Sequence, residues 1–135
     1  MLNDLGLLIM RLSAGLVMLY AHGLPKMQNF AEMSTRFPDP IGLGSPLSLI
    51  LAIFAELFCA ALLALGLFTR MALIPLIITM VVAYFIVHAA DPFQQKELAF
   101  MFLSIYVGLF FTGPGKYSVQ EFFKISAGRI SWLLK

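Results

Sequence analysis

"PLSLILAIFAELFCAALLALGLF", residues 46–68, decides the fold class. It is apolar over nearly all of its length and does not alternate, so it reads neither as a half-buried strand nor as a strand of a barrel. About 20 residues of α-helix cross the hydrocarbon core of a bilayer, and inside lipid a helix satisfies its own backbone groups. The stretch therefore predicts a transmembrane helix carrying one charge, Glu56, near its middle. Three further apolar runs accompany it, at about 5–24, 71–90 and 97–112, the last reaching spanning length if it begins near 95. The whole chain agrees: its 135 residues are 61% hydrophobic and 12% charged, with mean hydropathy +0.93, against roughly 45–50% and about 25% in soluble domains. The expectation is all-α: a single transmembrane domain over 1–135, built as an antiparallel four-helix bundle with an interfacial loop and a C-terminal amphipathic segment.

The same numbers exclude several functions. A net charge of +2 is too small and too dispersed for nucleic-acid binding. The single cysteine, Cys59, forms no internal disulfide or C-x-x-C pair and reads as a buried structural thiol. No His or Glu pair stands at i, i+3 or i, i+4, so no metal site is expected. No serine or cysteine stands at a recognisable helical spacing from a histidine, which argues against nucleophilic catalysis. "MLNDLG" lacks a basic n-region, so the first apolar run is expected to be retained rather than cleaved.

The connections differ in character. Residues 25–45 form a long loop with Pro25, Pro38 and Pro40, in which "NFAEMSTRF" suits a short interfacial helix with Phe30, Met33 and Phe37 on one side. "GLFTRM" is tight and predicts a helical hairpin. Asp91-Pro92 stops the third run, and Pro75 is expected in that helix's first turn, where proline is tolerated. The tail, about 118–135, mixes Val119, Phe122, Phe123, Ile130, Trp132 and Leu133 with Lys124, Arg129 and Lys135, and reads as a basic amphipathic surface helix. With four spans, Arg70, Lys116, Lys124, Arg129 and Lys135 share one side, and Lys26, Arg36 and Lys96 the other, which places both termini in the cytoplasm.

Charges inside spans cost about 2.5–3.5 kcal/mol each at the helix centre, so they tend to be paired and functional. Arg11 lies ~10 Å into the first run at 1.5 Å per residue, and Glu56 near the middle of the second. An Arg11–Glu56 pair is the expected contact. Positions 11, 15, 18, 22 and 26 fall on one helical face, aligning Arg11 and Gly15 with Met18, His22 and Lys26. Val81, Tyr84 and His88 share another face, as do Glu97, Met101, Ser104 and Gly108. Ser104 with Gly108, and Ala60 with Ala64, have small-xxx-small spacing that permits close helix contact. The expected site is a polar pocket with Arg11 and Glu56 as its floor and His22, Lys26, His88 and Glu97 at its mouth. In it His22, His88 and Glu97 are candidate proton-exchanging groups, and Arg11, Lys26, Glu56 and Tyr84 candidate ligand contacts. The plainer readings stand beside this one: an ion pair that only locks two helices, and histidines that sit at the headgroup level.

These residues resemble the DoxX family of small four-helix membrane proteins. The resemblance rests on Arg11, on "HGLPKM" with His22, Gly23 and Lys26, on Glu56, on "LGLFTR" with Gly66, Thr69 and Arg70, and on "GPGKYSV", over about residues 5–120. Where the family often has an acid shortly after the final serine, this chain has Gln120 followed by Glu121. The resemblance implies a multi-pass protein of the bacterial cytoplasmic (inner) membrane. It also implies a link to respiratory oxidoreductases, including the small subunit of a thiosulfate:quinone oxidoreductase, or to oxidative-stress and redox-maturation complexes. The leading expectation is a quinone-linked oxidoreductase component, with quinone as the candidate ligand in the bilayer and electrons supplied by a partner subunit, since no haem, flavin or iron–sulfur motif is present. The alternatives are a non-catalytic membrane subunit or assembly factor for a redox complex and, behind both, a small transporter, which would call for a homo-oligomer.

Overall fold

The computed structural model describes residues 1–123, and every element among them is helical. Two long helices, α1 (Leu2–Gln28) and α3 (Ser45–Leu65), are joined through a loop that contains the short α2 (Phe30–Met33). Then come α4 (Thr69–Val87), α5 (Phe93–Thr112) and a final turn, α6 (Val119–Phe122). By length and composition, α1, α3 and α4 are apolar enough to cross a membrane. The fourth long helix is not among them, because α5 opens on Gln94, Gln95, Lys96 and Glu97. The expected basic tail lies outside the described residues from Lys124 onward.

Helices α1 and α3 meet through small residues. Rising positions on α1 meet falling positions on α3: Arg11 reaches the Ala64 carbonyl, Gly15 lies against Ala60 and Ala64, and Gly23 lies against Glu56. A Cβ at Gly23 would stand 2.5 Å from the Glu56 carbonyl oxygen, so the backbones touch there. Ala60 and Ala64 therefore use their spacing as expected. Ser104 and Gly108 do not: Ser104 is exposed, and a Cβ at Gly108 would meet nothing within 4 Å. Helix α3 is the most enclosed, with half of its most apolar window buried, against 22% for α1 and for α4. The core around it is Met18, Leu63, Leu73, Leu76, Tyr106 and Leu109. The large hydrophobics left outside, such as Phe58, Ile78, Phe85 and Phe111, are what lipid would cover.

The tight hairpin between α3 and α4 has a physical cause. Gly66 takes a left-handed conformation at φ 69°, its N–H bonds the Leu63 carbonyl, and the Leu67 N–H bonds the Leu62 carbonyl. This paired pattern ends helices wherever glycine supplies the left-handed residue. Phe68 follows at φ 48°, a left-handed conformation rare for a bulky residue. The buried Gln120 supports it: its Oε1 accepts from the Phe68 N–H, and its own N–H donates to the Gly66 carbonyl. Pro75 lies one turn deeper in α4 than expected, and Thr79 bonds the Pro75 carbonyl. In the long loop Phe30, Met33 and Phe37 are half-buried while Ala31, Glu32, Thr35 and Arg36 are exposed, which is the amphipathic face the sequence implies.

Candidate functional site

Three of the long helices widen at one level. Leu19–Gly23 in α1, Phe54–Cys59 in α3 and Ala83–Val87 in α4 are π-helical. Each closes an i→i−5 bond: Leu24 N–H to Leu19 O, Ala60 N–H to Ala55 O, and His88 N–H to Ala83 O. In α1 the cause is local. Pro25 has no N–H for the carbonyl four residues back and its ring crowds that turn, which the wider register just before it relieves. The segments in α3 and α4 contain neither proline nor glycine. Such bulges are rare and frequently mark functional sites.

All three segments line one cavity of about 370 Å³, within the size range of small-molecule sites. His22 enters from α1, Glu56 from α3, and Ala83 and Val87 from α4. Met18, Leu51, Ala52, Leu98 and Phe102 make most of the wall apolar. The loop supplies a roof of Phe37, Pro38, Pro40, Ile41 and Leu43. That roof is tied by Asp39, whose carboxylate accepts from the Leu43 N–H at 2.8 Å, the Gly44 N–H at 2.9 Å and the Ser48 hydroxyl at 3.1 Å. These donors, the Gly44 N–H foremost, hold the Asp39 carboxyl below the ordinary carboxylate range.

The polar end of the cavity is an ion pair. Lys26 Nζ lies 2.5 Å from Glu56 Oε2, with side chains 18% and 8% exposed. The contact lacks hydrogen-bond angles, so Oε2 has charge compensation but no hydrogen bond. Lys26 also donates to the His22 carbonyl at 3.3 Å. The His22 ring stands edge-on to Phe102 at 6.0 Å. At the mouth His88 lines the cavity, and its Nδ1 lies 2.7 Å from Asp91 Oδ2.

The expected Arg11–Glu56 pair does not form. Arg11 is 1% exposed and spends its donors on main-chain carbonyls: Nε on Ala64 at 3.3 Å, one terminal nitrogen on Pro114, the other on Tyr117 at 2.6 Å. Arg11 stands level with Ala64, eight residues from Glu56 along α3, or ~12 Å at 1.5 Å per residue. That distance exceeds what a guanidinium stem bridges while bonded at its own level. Arg11 therefore fastens the "GPGKYS" segment to the helix pair and is not the cavity floor. Of the other sequence candidates, His22, Lys26, Glu56 and His88 line the cavity. Glu97 is exposed and lies outside it, a correction that follows from its face of α5 turning away. Tyr84 also lies outside, its ring 4.9 Å below Lys96 Nζ and packed on Phe85 and Phe100.

Asp91, the loop roof and Gln120 were not among the sequence candidates. The signal for Asp91 was its i+3 spacing from His88, and for the roof the Asp39…Gly42…Gly44 turn chemistry. Among the described residues no three His, Cys, Asp or Glu side chains gather as a metal site.

A DoxX family model matches residues 6–89, more than half of the chain. The chain belongs to the DoxX family. No curated protein and no solved structure matches it. The matched DoxX segment contains Arg11, both histidines, Lys26 and Glu56, while Gln95, which also lines the cavity, and Asp91 and Gln120 fall beyond it.

Proposed function

We propose that this DoxX-family membrane protein is a quinone-linked oxidoreductase component of the bacterial cytoplasmic membrane. In this reading α1, α3, α4 and α5 form an antiparallel four-helix bundle with both termini cytoplasmic, and the cavity holds a quinone headgroup among its apolar walls. The observation that carries the reading is the cavity itself: a largely apolar pocket of about 370 Å³ between apolar helices, on which three π-helical segments and one largely buried ion pair converge. An apolar wall with a few convergent polar groups is the usual composition of a small-molecule site. The Lys26 ammonium is a donor only, and a quinone carbonyl is an acceptor, so the headgroup would lie toward Lys26 and Glu56. His22, whose ring has no hydrogen-bond partner among the described residues, would exchange protons with it. Electrons would come from a partner subunit.

The test is titration of the purified protein in lipid nanodiscs with a short-chain quinone analogue, followed by calorimetry. Saturable binding that weakens at least tenfold in Glu56→Gln is expected. Absence of saturable binding to the unaltered protein refutes the proposal and leaves the assembly-factor reading in its place.

A further inference from the structure

The cavity has chemically different ends. Lys26 can only donate a hydrogen bond. His88 is more versatile, and Asp91 decides how. The Nδ1–Oδ2 distance of 2.7 Å places the carboxylate on one ring nitrogen. An ionised carboxylate only accepts, so Nδ1 carries the proton and donates. The turn is fixed as well: the Asp91 N–H bonds the His88 carbonyl at 3.0 Å, and Asp91 directly precedes Pro92, the cap of α5. His88 lines the cavity, and the ring nitrogen left for it is Nε2.

Resting on the quinone reading above, we propose that His88, positioned by Asp91, discriminates between the oxidised and reduced forms of the ligand. The two forms differ in hydrogen-bond sense at the ring oxygens: a quinone carbonyl accepts, a quinol hydroxyl donates. With Nδ1–H held by Asp91, neutral His88 presents Nε2 as a bare acceptor and pairs with the hydroxyl. When His88 takes a second proton, Nε2–H becomes a donor and pairs with the carbonyl. The cavity thus favours quinol at higher pH and quinone at lower pH. Other charged groups nearby do not duplicate this. Lys96 is occupied with the Ala89 carbonyl and the Tyr84 ring on the same turn. Across the cavity Lys26 and Glu56 are paired with each other. His22 is the remaining titratable group and lacks a carboxylate on its ring. Asp91 is a positioning residue, and its substitution by asparagine removes the preference of the neutral ring for quinol, because an amide both donates and accepts and so permits either imidazole tautomer.

The experiment is calorimetric titration in nanodiscs, under argon, of a short-chain ubiquinone analogue and of its quinol at about pH 5.5 and about pH 8, on either side of histidine's ordinary range. For the unaltered protein the quinol-to-quinone affinity ratio should rise about fivefold with pH, the size of one partly exposed hydrogen bond gained against one lost. In His88→Gln both forms should still bind, at a ratio that no longer changes with pH; in Asp91→Asn both should bind with a smaller change, because the neutral ring then pairs with either form while the doubly protonated ring still only donates. His22→Gln should keep the dependence, whatever it does to affinity. A ratio that is constant in the unaltered protein, or a dependence that is undiminished in Asp91→Asn, survives His88→Gln or vanishes only in His22→Gln, overturns the inference while the quinone reading stands. Failure of both forms to bind the unaltered protein refutes the quinone reading itself, and the inference with it.

Discussion

The Lys26–Glu56 pair admits a double-mutant cycle whose outcome the geometry sets in advance. Glu56 is 8% exposed in its side chain, and Gly23 packs on its backbone so closely that no water fits on that side. Its Oε2 accepts no hydrogen bond, so Lys26 is what compensates its charge. Removing one partner of a buried pair costs about 3–5 kcal/mol, because the other charge stays behind. Lys26→Met should fall near 3 kcal/mol, since Glu56 borders a cavity that water can enter. Glu56→Gln should cost about 1 kcal/mol, because Lys26 is the more exposed partner at 18% and its long stem can carry the ammonium outward. The double variant should cost no more than Lys26→Met alone, giving a coupling energy of about 1–2 kcal/mol. The molecule carries its own reporter. Cys59 is its one thiol and is 2% exposed, so it reacts with a fluorogenic maleimide only when the helices part. Thermal scans of that reaction in nanodiscs rank the four proteins. A Lys26→Met variant as stable as the parent, or costs that simply add, would refute the claim that the pair is buried and coupled.

Three further outcomes follow from other parts of the molecule. Arg11→Lys should destabilise by about 2–4 kcal/mol in the same thiol assay, because an ammonium cannot span the three carbonyls of Ala64, Pro114 and Tyr117 that the guanidinium fork reaches, and each charge-assisted bond is worth about 1.5–3 kcal/mol. A cost below about 0.5 kcal/mol would show that the fork is not needed. Gly23→Ala should cost about 1–3 kcal/mol through overpacking against the Glu56 backbone, whereas Gly108→Ala, which enters open space, should be neutral or stabilise by up to about 1 kcal/mol. Equal effects at the two positions would contradict the packing described. The Asp39 carboxyl titrates below its ordinary 3.8 in the folded protein, so its contribution is present above that value and is lost as pH falls through the lowered folded one. Hydrogen exchange should therefore show the Leu43 and Gly44 amides losing protection in that acid window, and already at neutral pH in Asp39→Asn. Unchanged protection in the variant would mean that Asp39 does not hold the roof.

Much of the fold is legible in the sequence because lipid makes hydropathy nearly decisive. The runs at 46–68 and 71–90 could be little else than helices, and Gly66 announces the turn between them. The stripe 11, 15, 18, 22, 26 was also readable: Arg11, Gly15 and Met18 are all buried, and His22 and Lys26 both reach the cavity. Depth along the helices was not readable. Counting from the edges of apolar runs put Arg11 near Glu56, but the register between α1 and α3 is set by where Gly15 and Gly23 allow the backbones to touch, and that register puts Arg11 level with Ala64. The π-helical segments escaped for a related reason. Only the one before Pro25 has a local cause; those around Glu56 and Tyr84 contain no proline or glycine to announce them. In the sequence Asp91 stands before Pro92 and reads as a helix stop, a role that hides its side chain's hold on His88.

Charge inside the hydrocarbon region does not by itself separate structure from function here, since Arg11 and Glu56 are about equally buried. What separates them is how they are satisfied. Arg11 is bonded to three main-chain carbonyls, one through each guanidinium nitrogen, in a corner where Gln120 also supports the left-handed Phe68, and its fork ties that corner together. Glu56 has a counter-ion but an oxygen without a hydrogen bond, in a helix already widened, beside a cavity whose other polar groups include His22, whose ring has no hydrogen-bond partner among the described residues. Departures from good hydrogen bonding and regular helix are expensive in lipid and persist where something else compensates them. Among the described residues, buried polar atoms without a hydrogen bond occur at both ends, on Thr69 and Gln120 as well as on Glu56; the convergence of three π-helical segments, from three separate helices, on one cavity is therefore the strongest reason to place the chemistry there.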